Sequence, residues 1–102
     1  LSPDGKHAAA LGSQNNSDFR VIVDGKVWDA PFDMAWPVVF APTNDHAAAK
    51  VRRNGKYGVY ADGKAVIENL DDVWNPTFSP DGTVLLFCSL KDGVFSRHTV
   101  RL

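Results

Sequence analysis

Val21-Ile22-Val23-Asp24-Gly25-Lys26 returns 38 residues later as Val59-Tyr60-Ala61-Asp62-Gly63-Lys64. In each copy a short apolar run meets an Asp-Gly pair, and that pair tolerates the positive φ required by a two-residue hairpin of the primed type. Asp24-Gly25 and Asp62-Gly63 are therefore expected in equivalent hairpin turns, the second returning into a strand at Lys64 to Ile67.

The repeat extends outward from this stretch. Leu1-Ser2-Pro3-Asp4-Gly5-Lys6-His7-Ala8-Ala9-Ala10 matches Phe40-Ala41-Pro42-Thr43-Asn44-Asp45-His46-Ala47-Ala48-Ala49, and more loosely Phe78-Ser79-Pro80-Asp81-Gly82-Thr83-Val84-Leu85-Leu86-Phe87. Asp33 and Trp36 recur as Asp71 and Trp74. The offset is 39 for the first block and 38 afterwards, which places one extra residue between Leu11 and Arg20. Concordant blocks at one spacing define repeat units of about 1–39, 40–77 and 78–102.

Within the middle unit, Trp36 to Phe40 is expected as a short strand ended by Pro42, which has no N–H for a ladder. Asp4-Gly5, Asn44 and Asp81-Gly82 are turn residues. His46 to Val51 is the second strand, Arg53-Asn54-Gly55-Lys56 the next turn, Tyr57 to Ala61 the third strand, and Glu68 to Asp72 an acidic loop. Four short antiparallel strands in about 40 residues is the footprint of a propeller blade. A Gly or Pro every several residues excludes a helical repeat. The fold class is thus all-β: tandem four-stranded propeller-blade repeats, about two and a half of them, in a single domain spanning residues 1–102.

Composition agrees with a water-soluble globular chain. Of 102 residues, 44% are hydrophobic and 23% charged. The formal net charge of −1 gives no field for nucleic acid or an anionic membrane. The apolar run Val84 to Cys88 falls far short of the roughly 20 residues that span a bilayer. There is no signal peptide, and the only Met is Met34, so the chain reads as a segment of a longer protein with any targeting sequence lying upstream.

The Ser79-Pro80-Asp81-Gly82 and Ser2-Pro3-Asp4-Gly5 corners resemble the WD40-like repeats of TolB-type propellers. Together with Val21 to Trp28 and Trp36 to Pro42, they resemble more narrowly the TmcD-like accessory subunits of the Tmc transmembrane electron-transfer complexes of sulfate-reducing bacteria. The similarity covers nearly the whole chain, with Thr43-Asn44 in place of Asp-Gly and Val66 in place of Trp28 in the second unit. It implies a non-catalytic scaffold module whose partners are other protein subunits of a membrane-associated redox complex, on the cytoplasmic side. The alternatives are a periplasmic TolB-like propeller segment and the propeller part of a larger hydrolase.

No residue pattern points to chemistry. Cys88 is the single cysteine, which excludes an intrachain disulfide or a cysteine-based metal site within the chain, and it reads as a small buried hydrophobe. His7 and His46 occupy equivalent points of neighbouring units, with Asp4 and Asp45 beside them, and read as structural or solvent-facing rather than as zinc ligands. Ser2 and Ser79 sit in turns where a hydroxyl bonds the local backbone. No Gly-x-Ser-x-Gly elbow exists, and nothing desolvates Asp71 or Asp72 for acid catalysis. Asp24-Gly25 and Asp62-Gly63 fit turns better than calcium. The chain is accordingly expected to be no enzyme, with no catalytic, cofactor-binding or metal-binding residues and no cofactor.

Partner-binding residues are expected at Trp28, Arg52, Arg53 and Lys56. Trp36 and Trp74, which recur, read as core residues between sheets, leaving unrepeated Trp28 as the exposed tryptophan. Lys50, Arg52, Arg53 and Lys56 form a basic loop opposite Glu68, Asp71 and Asp72, a solvated surface or one able to steer a partner. Open sheet faces and strand edges, including Arg97 to Leu102, predict a homo-oligomer for the isolated chain, without membrane insertion.

Overall fold

A computed structural model describes residues 5–13, 18–28, 31–42 and 45–102. The chain is all-β, with three antiparallel sheets in sequence order. The first contains β1 (Ala9–Ser13), β2 (Phe19–Val23) and β3 (Lys26–Val27). The second contains β4 (Met34–Ala35), β5 (Val39–Phe40), β6 (Ala47–Arg53), β7 (Lys56–Ala61) and β8 (Lys64–Leu70). The third contains β9 (Asp72–Val73), β10 (Thr77–Phe78), β11 (Val84–Lys91) and β12 (Val94–Arg101).

Tight turns set the registers. Asp24-Gly25 and Asp62-Gly63 both have two positive φ values, 51° and 79° in the first and 52° and 81° in the second, as a type I′ turn requires. Asn54-Gly55 and Asp92-Gly93 adopt the same geometry. Asp92-Gly93 is what lets β11 and β12 pair over eight residues, from Lys91↔Val94 to Val84↔Arg101. The turns expected at Asp4 and Asn44, and most of the loop holding the extra residue, lie outside the described residues.

Two expected boundaries differ. Trp36 to Phe40 is not one strand: β4 and β5 both pair with β6, and Trp36-Pro37-Val38 interrupts them. Pro37 cannot donate to the ladder. The same break recurs at Trp74-Asn75-Pro76 between β9 and β10, both of which pair with β11. The acidic loop is also largely strand. Glu68 to Leu70 continue β8, which shifts from Val59↔Ile67 to Tyr57↔Leu70. Asn69 takes a positive φ of 63° in that bulge, a conformation its short polar side chain tolerates.

Alternation along the strands gives each sheet two buried or potentially buried faces. Val21, Trp28 and Phe32 from the first sheet and its following segment meet Ala35, Ala47, Ala49, Val51 and Tyr60 of the second. The opposite face of the second sheet (Ala48, Val59, Ala61, Leu70) meets Val73, Leu85 and Phe87 of the third. The described residues thus form an open run of three sheets packed face to face, and they do not close into a ring.

Candidate partner-binding surface

The two histidines are held by the hairpin aspartates. His7 Nδ1 lies 2.6 Å from Asp24 Oδ2, while Asp24 Oδ1 accepts the Ala8 N–H at 2.9 Å. His46 repeats this with Asp62 at 2.6 Å, and Asp62 accepts the Ala47 N–H at 2.9 Å. The turn aspartate therefore secures the start of the neighbouring strand. His7 does more, because its Nε2 reaches Asp45 of the next sheet at 2.8 Å. An imidazolium donates from both ring nitrogens, so His7 in its protonated form can clasp the first sheet to the loop that leads into β6.

Hydrogen bonds to Asp24 and then Asp45 raise the His7 pKa above its ordinary value. Asp24 is lowered, first by the Ala8 N–H and then by His7. A raised histidine pKa contributes stability that is fully present below the unfolded value of about 6.5 and is lost as pH rises through the folded value. The melting temperature gap between the parent chain and His7→Gln is therefore expected to narrow as pH rises from 6 to 9. Thermal unfolding across that range checks it, and a gap that stays constant or widens counts against the clasp.

The structure separates the four expected partner-binding residues. Trp28 is only 8% exposed, so its expected surface role is overturned. It packs beside the Gly63 turn, its Cδ1 3.5 Å from where a Cβ on that glycine would stand. Arg52, Arg53 and Lys56 lie at the other end of the second sheet, around the Asn54-Gly55 turn. Arg53 leans inward over the Phe32 and Tyr60 rings, at 4.8 and 5.8 Å. Lys56 bonds Asp71 at 2.8 Å, and this contact raises its pKa and lowers that of Asp71. Lys50 pairs with Asp72 at 3.6 Å. Basic and acidic residues of the middle unit thus tie the second sheet to the segment that opens the third, leaving exposed Arg52 over the Tyr57 ring at 5.9 Å.

Beside Arg52 lies an aromatic arrangement found twice. Trp36 and Tyr57 are 5.8 Å apart, with Lys50 Nζ 4.4 Å from the Trp36 ring centre. In the third sheet the equivalent pair is Trp74 and Phe95, 5.2 Å apart edge to face, with Cys88 in the place of Lys50. Trp74 is 48% and Phe95 60% exposed, which overturns the expected core position of Trp74. The Trp36 N–H bonds the Lys50 carbonyl and the Trp74 N–H the Cys88 carbonyl, both at 3.0 Å. Recurrence here reflects shared backbone geometry, not shared burial.

Three further expectations can be placed. The Ser79 hydroxyl bonds Asp81 at 2.6 Å and accepts the Val84 N–H, as a turn serine should. That bond, with those from Thr83, holds the Asp81 pKa at about 2. Cys88 is half-buried on the outward face of the third sheet. The Ser89–His98 pair went unforeseen, with Ser89 Oγ 2.7 Å from His98 Nε2. The Asp92-Gly93 turn is the signal that brings these two positions together. Ser89 is only 3% exposed and faces the second sheet, where a substrate has no access, so the contact satisfies a buried hydroxyl. Among the described residues no group of three or more His, Cys, Asp or Glu is placed to hold a metal ion, and no helix is long and apolar enough to cross a membrane.

These features define an all-β chain of three antiparallel sheets with Trp74 and Phe95 exposed on the third. The chain matches no protein-family model, no curated protein and no solved structure.

Proposed function

We propose that the chain is a non-catalytic protein-interaction module whose sheets are blades of the propeller type. By its resemblance to TmcD-like subunits, the partners are protein subunits of a bacterial membrane-associated electron-transfer complex, met on the cytoplasmic side. The observation that carries the reading is the recurring aromatic pair, with half-buried Tyr57 under exposed Arg52 on the second sheet and exposed Trp74 against Phe95 on the third. Trp, Tyr and Arg are the residues in which binding energy concentrates at protein interfaces, because they combine large apolar area with a polar handle. The binding role expected for Arg52 is retained, and Tyr57 takes the place that Trp28 cannot fill.

A detergent-solubilised Tmc-type complex passed over the immobilised chain tests this. Retention of the complex is expected, with at least a tenfold loss of affinity for the double variant Arg52→Ala with Tyr57→Ala, about the effect of removing one interface anchor. Absence of retention by the parent chain, or equal retention by the variant, would refute the reading.

A further inference from the structure

The packing between sheets is repeated, and among the described residues one copy of each of its two faces is uncovered. Ala47 and Ala49 on the second sheet present small side chains, buried to 2% and 0% exposure against the first sheet. Ala8 and Ala10 occupy the same places on the first sheet, 39 residues earlier, yet both are exposed. The register confirms the equivalence, since Ala10 is opposite Ile22 as Ala49 is opposite Tyr60. At the other end, Ala48 of the second sheet is fully buried against the third sheet, whereas its equivalent Leu86 lines an open groove. That groove measures about 380 Å³, and Trp74, Leu86, Cys88 and the stem of Arg97 contribute to its wall.

Alanine at the first surface lets a facing sheet approach closely, and the groove presents the larger side chains such an approach requires. Large-on-small packing of this kind already joins Val21 to Ala47 and Ala49 within the chain. We propose that the groove of the third sheet receives the alanine face of the first sheet of a second copy, so that two chains associate head to tail. The inference rests on the interaction-module reading and names one partner for it, a second copy of this chain. The contact is heterologous, and such contacts either close into rings or run on as filaments. The described residues of one chain contribute three sheets, and six lie within the four to eight that close a propeller, so a pair joined through two identical contacts is the expected species for this chain.

Sedimentation of the purified chain at tens of micromolar is expected to give a species of twice the 11.1 kDa chain mass. Ala10→Arg blocks the alanine face and Leu86→Arg the groove, with Cys88→Arg as a second groove variant should Leu86→Arg lose its β-sheet circular dichroism. Each variant alone is expected to sediment as a monomer. An equimolar mixture of an alanine-face and a groove variant is expected to dimerise again, because one intact contact remains between them. A monomeric parent chain, a dimeric Ala10→Arg, or a mixture that stays monomeric would overturn head-to-tail pairing. A dimeric Ala10→Arg would instead indicate groove-to-groove pairing. Retention of the solubilised complex by a monomeric parent chain would leave the interaction reading standing while removing this one, so the two fail separately.

Discussion

Replacing Trp28 with alanine is expected to destabilise the fold by about 3–5 kcal/mol, the range for removing a buried aromatic side chain. Trp28 lies among Val21, Phe32, Ala47 and Tyr60, and it bridges the first sheet to the second-sheet hairpin at Gly63. Its N–H also closes the β2–β3 hairpin by bonding the Val21 carbonyl at 2.8 Å. Alanine preserves that backbone bond, so the loss comes from packing and from the cavity left behind. A chain of this size has roughly 5–15 kcal/mol in total, so the variant is expected to lose a large share of its stability. Trp74→Ala provides the comparison. Half-exposed Trp74 has the edge of Phe95 as its aromatic contact, and its removal is expected to change stability by about 1 kcal/mol or less. Urea unfolding followed by far-ultraviolet circular dichroism measures both, and equal losses for the two variants would reverse the assignment of core and surface.

The tryptophans show what one strand's pattern can and cannot reveal. Recurrence singles out Trp36 and Trp74, and burial is the ordinary inference from a repeated large apolar residue. In the structure, what repeats is a backbone position, the break between the two short opening strands, where an N–H bonds the facing strand. Whether the indole is covered depends on which sheet stands beside it. Trp28 is covered by a turn 35 residues away in sequence, and nothing within Lys26 to Trp28 encodes that neighbour. By contrast, the Asp-Gly hairpins were legible because the turn chemistry is local. The histidine clasp was half legible for the same reason. The 38- to 39-residue spacing makes His7 and His46 equivalent, but the bond from His7 to Asp45 exists only once the first sheet packs on the second.

Charge was the least legible feature. The basic group Lys50, Arg52, Arg53 and Lys56 and the acidic group Glu68, Asp71 and Asp72 look like two opposed surface patches. A seven-residue β8 carries Glu68 back beside β7, where it accepts a bond from Tyr60 at 3.1 Å, and Asp71 and Asp72 then meet Lys56 and Lys50. The bulge at Glu68-Asn69 turns a presumed loop into a cross-link, and no periodicity announces a bulge of this kind.

Gly58 is the counterpart of that bulge, and Gly58→Ala is expected to destabilise the chain by about 1–3 kcal/mol, the cost of forcing an added methyl group into a packed site. Gly58 is buried between Tyr57 and Val59, where the pairing of β7 with β8 changes register. A Cβ there would stand 2.6 Å from the Ile67 carbonyl oxygen and 3.3 Å from the Glu68 Cα. Both neighbours are backbone, so relief requires β8 to move, and that movement would disturb Leu70, which anchors the interface with the third sheet. The φ of Gly58 is not positive, so the penalty is steric and not one of left-handed strain. Gly12→Ala separates the two effects. Among the described residues a Cβ at Gly12 meets only Ile22 Cδ1, at an ordinary 3.5 Å, and the substitution reduces the freedom of the unfolded chain, so a gain of about 0.4–1 kcal/mol is expected. Urea midpoints at a concentration low enough to keep every variant monomeric decide the matter. If Gly58→Ala were as stable as the parent chain, β7 and β8 would be able to separate locally without loss, and the bulge would not be fixed by a close backbone approach.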